Sequence, residues 1–182
     1  MRPHVKFRDL HPGVVQAVKN AFPKWDAEVG NIFDGAPADA IVSPANCIGR
    51  MDGGIDGLYV RAFGWQLQAR LAHHLVESHG GRDDLGRLNG SSGRVEIGDA
   101  AAIDTCNSRL PLMIMAPTMD WPPGDVSQTQ NAYLAMKAIL QLATRIGLKS
   151  ILMPGLATAT GRMPGDVCAA QMRRAWDEVF SA

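Results

Sequence analysis

Cysteine is scarce in this chain, with three residues, Cys47, Cys106 and Cys168, among 182. Such an odd and sparse set excludes a disulfide framework and fits a reducing, cytoplasmic setting. Aromatic residues are also few, at 6%. Charge of one sign is missing, because 18 Lys+Arg balance 18 Asp+Glu. That balance removes the bulk electrostatic argument for a nucleic-acid partner. The longest apolar runs, residues 113–117 and 151–154, fall far short of the roughly 20 residues of a membrane span, and no membrane partner is expected. The N-terminal stretch alternates charged and apolar residues and does not read as a signal peptide. No Cys/His pair has a zinc-site spacing, so His73, His74 and His79 read as a polar helix face and no metal is expected. The motif GxxxxGK(S/T) is absent, and no GxGxxG follows the first strand. A P-loop and a dinucleotide-binding Rossmann domain are thereby excluded.

What is present is an ordinary globular composition, 46% hydrophobic and 20% charged. The length predicts a single domain over residues 1–182, since domains usually run ~100–200 residues. Apolar runs alternate with helical patterns, which marks an α/β layer fold. Residues 5–10 read as a strand. Pro12 and Gly13 open a helix with Val14, Val15, Ala17, Val18 and Ala21 on its apolar side. Residues 25–33 and 40–42 read as the next strands. One helix is predicted from Ile55 towards Ser78, stopped by Gly80 and Gly81, and residues 80–93 read as a Gly/Ser-rich loop. Residues 94–104 and 111–119 read as strands. Asp125 or Ser127 is placed to cap a long helix to about residue 146, with Ile139, Leu142, Ala143 and Ile146 as its stripe. A buried strand over 149–154, a loop over 155–164 and a last helix from Pro164 to about Phe180 complete the pattern.

Two loops, residues 43–54 and 155–164, each follow a short hydrophobic strand and precede a helix. Ligands of open α/β sheets gather at such strand ends. Small residues let backbone N–H groups approach an anion, and each following helix adds a partial positive charge at its N-terminus. Side by side, the two loops would suit a diphosphate; alone, the glycines would only make tight turns.

The order of residues is more specific. The run Ala38-Asp39-Ala40-Ile41-Val42-Ser43-Pro44-Ala45-Asn46 is followed by Gly53-Gly54-Ile55-Asp56-Gly57 and then by Arg61-Ala62-Phe63-Gly64. Together with the strand Lys149-Ser150-Ile151-Leu152-Met153-Pro154, this order resembles the macrodomain family, whose pattern is VDAIVNAAN, a glycine run, VDGAI and a closing RAAG. The resemblance covers about residues 30–170. It implies a three-layer α/β/α fold with a mixed, largely parallel sheet of about six strands. It also implies ADP-ribose, free or attached to a substrate, as the ligand; no cofactor and a monomer are the accompanying expectations.

Residue by residue, Asn46 matches the second asparagine of NAAN, which holds the distal ribose. An amide offers a donor and an acceptor to a diol, though it also caps turns. Ala45 stands beside it. Gly53, Gly54 and Ile55 match the first phosphate loop, and Asp52, where the family often has glycine, is expected to face solvent. Asp56 matches the aspartate next to the distal ribose, where a carboxylate orients or deprotonates water. An acid is equally favoured in any first helical turn. The second loop matches in length rather than letters. Thr158, Ala159, Thr160 and Gly161 are expected to offer amides and a hydroxyl, and Arg162 either pairs with a phosphate or lies in solvent. At the adenine end Asn31 replaces the usual aspartate and offers a neutral carbonyl next to Ile32. Phe33 is a base platform or core, and Trp121 lines the adenine or ribose side or caps a turn. Cys47 has no base placed to make it a nucleophile. The reading that follows is an ADP-ribosyl hydrolase using Asp56 and Asn46. The alternatives are a non-catalytic ADP-ribose reader and a module for another nucleotide or an RNA end.

Overall fold

A computed structural model describes residues 2–79 and 93–181. Six strands form one sheet: β1 (His4–Asp9), β2 (Asp26–Val29), β3 (Ala40–Ser43), β4 (Ala101–Asp104), β5 (Leu112–Met115) and β6 (Ser150–Met153). Their order is β2-β1-β6-β3-β5-β4, and every pairing is parallel except β4 with β5. Among the described residues, five α-helices form: α1 (Pro12–Ala21), α2 (Gly54–Phe63), α3 (Gln66–His79), α4 (Asn131–Arg145) and α5 (Gly165–Phe180).

The central strands are buried on both faces, as strands of a covered parallel sheet must be. All of β3 is buried, and β5 and β6 are buried after their first residues. Side chains then alternate between two cores. Val42, Ile114, Ile151 and Met153 face the layer of α1, α4 and α5, whereas Ile41, Met113, Met115 and Leu152 face Tyr59 of α2 and Leu67, Leu71 and Leu75 of α3. The expected three-layer α/β/α fold with a largely parallel sheet is thus observed. Among the described residues, no helix is long and apolar enough to cross a membrane.

Several elements are shorter than the sequence pattern predicts, each for a local reason. The strand expected over 25–33 ends at Val29. Asn31 caps a 3-10 turn, Ile32–Gly35, by accepting the Phe33 N–H at 3.0 Å, while Asp34 accepts the Asn31 N–H at 3.1 Å. The single helix expected from Ile55 is two, because Gly64 lies at φ +83° and breaks it between α2 and α3. The strand expected over 94–104 begins only at Ala101; before it, the Val95 N–H donates to Cys47 C=O at 3.0 Å and ties that segment to the first loop. Helix α4 starts at Asn131, since Val126 N–H donates to Gly161 C=O at 3.0 Å and Asp125 accepts the Ser127 N–H in a turn. Its stripe is buried at Ile139, Leu142 and Ala143, but Ile146, past the helix end, is 43% exposed. The loop predicted over 80–93 lies outside the described residues except for Gly93.

Candidate functional site: a cleft between two glycine loops

Strands β3 and β6 are parallel neighbours, so the loops that leave their C-terminal ends emerge side by side. Between them opens a cleft of about 820 Å³, within the usual range for small-molecule sites. The ends of β1, β2 and β5 extend its lining through Asp9 and His11, through Gly30, Asn31 and Ile32, and through Thr118 and Met119. The cleft therefore sits where an open α/β sheet places its ligands.

The first loop is built as a rigid wall. The Asn46 amide makes a reciprocal pair with Arg50: Nδ2 donates to Arg50 C=O at 2.8 Å, and Oδ1 accepts Arg50 N–H at 3.0 Å. From α3, Gln68 accepts the Met51 N–H and donates to Gly49 C=O. The loop also extends the pairing of β3 with the chain after β5, as Thr118 N–H meets Ala45 C=O and Cys47 N–H meets Met119 C=O. Arg50 pairs with Asp52 at the rim, which offsets the Asp52 charge on the side of the cleft. The chain then enters α2 through Gly54 at φ +55°. Gly57 N–H closes the first helical bond onto Gly53 C=O at 2.9 Å. The N–H groups of Gly54, Ile55 and Asp56 precede any intrahelical acceptor, the arrangement by which helix termini accommodate anions.

Asp56 lies in that first turn, is 7% exposed and lines the cleft. Ser43 Oγ, at the end of β3, donates to its Oδ1 at 2.5 Å. Burial raises the Asp56 carboxyl to about 6, against the opposing pull of the Ser43 hydrogen bond. A carboxylate near that value serves well as a general base at neutral pH.

The second loop is pinned at both ends. Asp9 Oδ2 accepts the Gly155 N–H at 3.0 Å, and Met163 N–H returns to Ala157 C=O at 3.0 Å. Among the described residues, no acceptor takes the N–H groups of Thr158, Ala159, Thr160 or Gly161, all of which line the cleft. The two loops thus present amide donors to a shared space.

A family model of the Macro domain matches residues 42–172. The chain belongs to the Macro domain family. A protein of Pyrobaculum aerophilum is 30% identical over 145 residues, covering 80% of this chain and 70% of that protein. In solved structures, the macrodomain of Mycobacterium tuberculosis DarG shares the fold at a TM-score of 0.65 and 16% identity, over 84% of this chain and 89% of that one. The Trypanosoma brucei macrodomain in complex with ADP-ribose is similar at a TM-score of 0.56 and 18% identity, over 96% of this chain and 58% of that one.

Within this Macro domain, most residues singled out from the sequence meet at the cleft: Asn31, Ile32, Ala45, Asn46, Gly53, Gly54, Ile55, Asp56, Thr158, Ala159, Thr160 and Gly161. Two do not line it. Trp121 is 61% exposed in the turn before Pro122 and Pro123, and those prolines take the lining position instead. Arg162 sits at φ +57° with its guanidinium in solvent, 3.9 Å from Asp125. Phe33 is half-buried and packs against the core, edge-on to Tyr59 and Phe63. Burial pushes the Cys47 thiol up, away from nucleophilic use. Among the described residues, no group of His, Cys, Asp and Glu gathers to hold a metal. Sequence reasoning missed Asp9 and Ser43. Asp9 lies one residue inside the strand predicted over 5–10 and Ser43 one residue past the strand predicted over 40–42; each ends the observed strand, and closeness to a strand end was the available signal.

Proposed function

We propose that the cleft binds ADP-ribose and that the protein hydrolyses ADP-ribosyl linkages. The diphosphate lies between the amides of residues 53–56 and 158–161, the distal ribose between Asn46 and Asp56, and the adenine towards Asn31 and Ile32. Water next to Asp56 gives a proton to the carboxylate and attacks the anomeric carbon. The bond from that carbon to the attached group breaks, and the proton passes to the leaving group. The observation that carries this reading is the adjacency of β3 and β6, which sets two amide-rich loops across one cleft with a buried carboxylate in its wall. ADP-ribose bound to the structurally similar Trypanosoma brucei macrodomain supports the ligand class.

The test is calorimetry with ADP-ribose, AMP and short RNA, alongside an assay for ADP-ribose released from modified protein, DNA and small-molecule esters. Asp56→Ala is expected to keep ADP-ribose affinity and lose release. Wild-type release from the variant would reject the role of Asp56, and no ADP-ribose binding at all would reject the ligand.

One observation favours a reader without chemistry. The Asn46 amide already uses one hydrogen and one carbonyl lone pair on Arg50, so half of its hydrogen-bonding capacity is committed to the loop and one donor and one lone pair are left for a ribose. On that reading, ADP-ribose binds and no modified substrate is turned over.

A further inference from the structure

The Asp56 carboxylate has two oxygens in unequal surroundings. Oδ1 accepts the Ser43 hydroxyl at 2.5 Å, whereas among the described residues no donor meets Oδ2. Ser43 is 1% exposed and is the last residue of β3, the strand that carries the first loop. A second hydroxyl bond fixes the helix against the same strand: Tyr59, one turn further along α2, donates to Val42 C=O at 2.8 Å. Adjacent residues of β3 therefore set both the depth and the rotation of the first turns of α2. We propose that Ser43 is the positioning residue for Asp56: its hydroxyl occupies Oδ1 and leaves Oδ2 as the oxygen presented to the cleft. The proposal rests on the reading of Asp56 as the reacting carboxylate.

The remaining charged groups around the site are otherwise engaged or lie at its rim. Arg50 and Asp52 pair with each other, and Asp9 is bound to the His11 and Gly155 N–H groups. Arg61 is exposed on α2, and Arg8 is held by Asp26. Tyr59 is fully buried, and the nearby Asp56 charge raises its phenol further. None of these donates to Asp56, so Ser43 is the one described side chain that stabilises its ionised form.

The experiment follows the Asp56 carboxyl carbon by NMR titration in the wild type, Ser43→Ala and Ser43→Thr, with the pH dependence of kcat/KM for ADP-ribose release measured in parallel. Loss of a hydrogen bond to a charged group is expected to move the Ser43→Ala midpoint alkaline by about one to two pH units. The acid limb of kcat/KM should move with it, and Ser43→Thr should restore both. A folded Ser43→Ala with an unmoved carboxyl midpoint overturns the assignment. A moved midpoint with an unmoved rate profile supports Ser43 as the partner of Asp56 and removes the catalytic reading instead. If Ser43→Ala does not fold, Ser43→Cys replaces it. Its weaker donor should give a smaller shift in the same direction, and no shift overturns the proposal.

Discussion

Asp9 holds the start of the second glycine loop, its Oδ2 accepting the Gly155 N–H at 3.0 Å while its Oδ1 accepts the His11 N–H at 2.9 Å. The contact exists because β1 and β6 are parallel neighbours, so the last residue of one strand reaches the first loop residue of the other. One carboxylate thus ties the entry of α1 to the wall of the cleft.

Asp9→Ala is expected to lower stability by about 2–3 kcal/mol, the cost of leaving two backbone donors without a charged acceptor. ADP-ribose affinity should fall at least about tenfold, because the loop loses its fixed starting point. Urea unfolding and calorimetry read the two effects separately. Wild-type values in both would show that the loop keeps its shape without Asp9.

Glycines of the two loops should respond differently to a methyl group. At Gly161 a β-carbon would sit 2.5 Å from Ala157 C=O and 2.7 Å from Val126 Cγ2, and the carbonyl is backbone that cannot turn aside. Gly161→Ala is therefore expected to cost about 1–3 kcal/mol, the usual range for overpacking. At Gly53, φ is −150° and a β-carbon would meet nothing within 4 Å. Gly53→Ala should leave stability within about 0.5 kcal/mol while weakening ADP-ribose binding, since its methyl would stand at the mouth of the helix terminus proposed to hold the diphosphate. Thermal unfolding and calorimetry on the pair make the comparison; equal stability losses would contradict it.

The strands flanking the cleft were legible because burial writes a simple signal. Ala40, Ile41 and Val42 form an apolar run ended by a proline and followed by glycines, and such a run has few other uses in a chain of this size. The first loop was legible residue by residue for the same local reason. Boundaries were less so. The helical spacing of Ile55, Leu58, Tyr59 and Phe63 continues in Leu67, Leu71 and Leu75, so nothing in the apolar pattern marks the break at Gly64. Contacts between distant segments were not legible at all. Asp9 looks like any acid at a strand end until the sheet order brings Gly155 to it, and Ser43 looks like a small turn residue until α2 folds back over β3. The direction of an exposed side chain is likewise a tertiary fact, which is why the sequence leaves Trp121 between the cleft and a turn, and Arg162 between a phosphate and solvent.

Trp121 and Arg162 give the control for the site. Both lie off the lining, and the Arg162 guanidinium faces the exposed Asp125 at 3.9 Å. Trp121→Ala and Arg162→Ala are expected to leave the ADP-ribose Kd within about twofold, as for surface substitutions remote from a ligand. A tenfold loss in either would mean that the loop closes on the ligand and brings that side chain in.

On the proposed hydrolase reading, the acid–base behaviour of Asp56 would tie stability to turnover. Burial raises its carboxyl from an ordinary 3.8 to about 6. Between those values the folded chain holds more protons than the unfolded one, so stability falls as pH rises through that window, by about 3 kcal/mol at most. Above it the ionised, buried carboxylate carries the full penalty. Asp56→Asn removes the titration while keeping an oxygen for the Ser43 hydroxyl. The variant is therefore expected to be more stable than the wild type by about 1–3 kcal/mol at neutral pH, with the advantage disappearing below about pH 4. Release of ADP-ribose should run the other way. It should rise with pH through about 6 in the wild type, as the base ionises, and be lost in Asp56→Asn at every pH. Urea unfolding at several pH values, paired with the release assay, tests both halves. A stability difference that does not change with pH would show that Asp56 is not held as a buried, hard-to-ionise acid, and the base assigned to the reaction would then have to be sought elsewhere in the cleft.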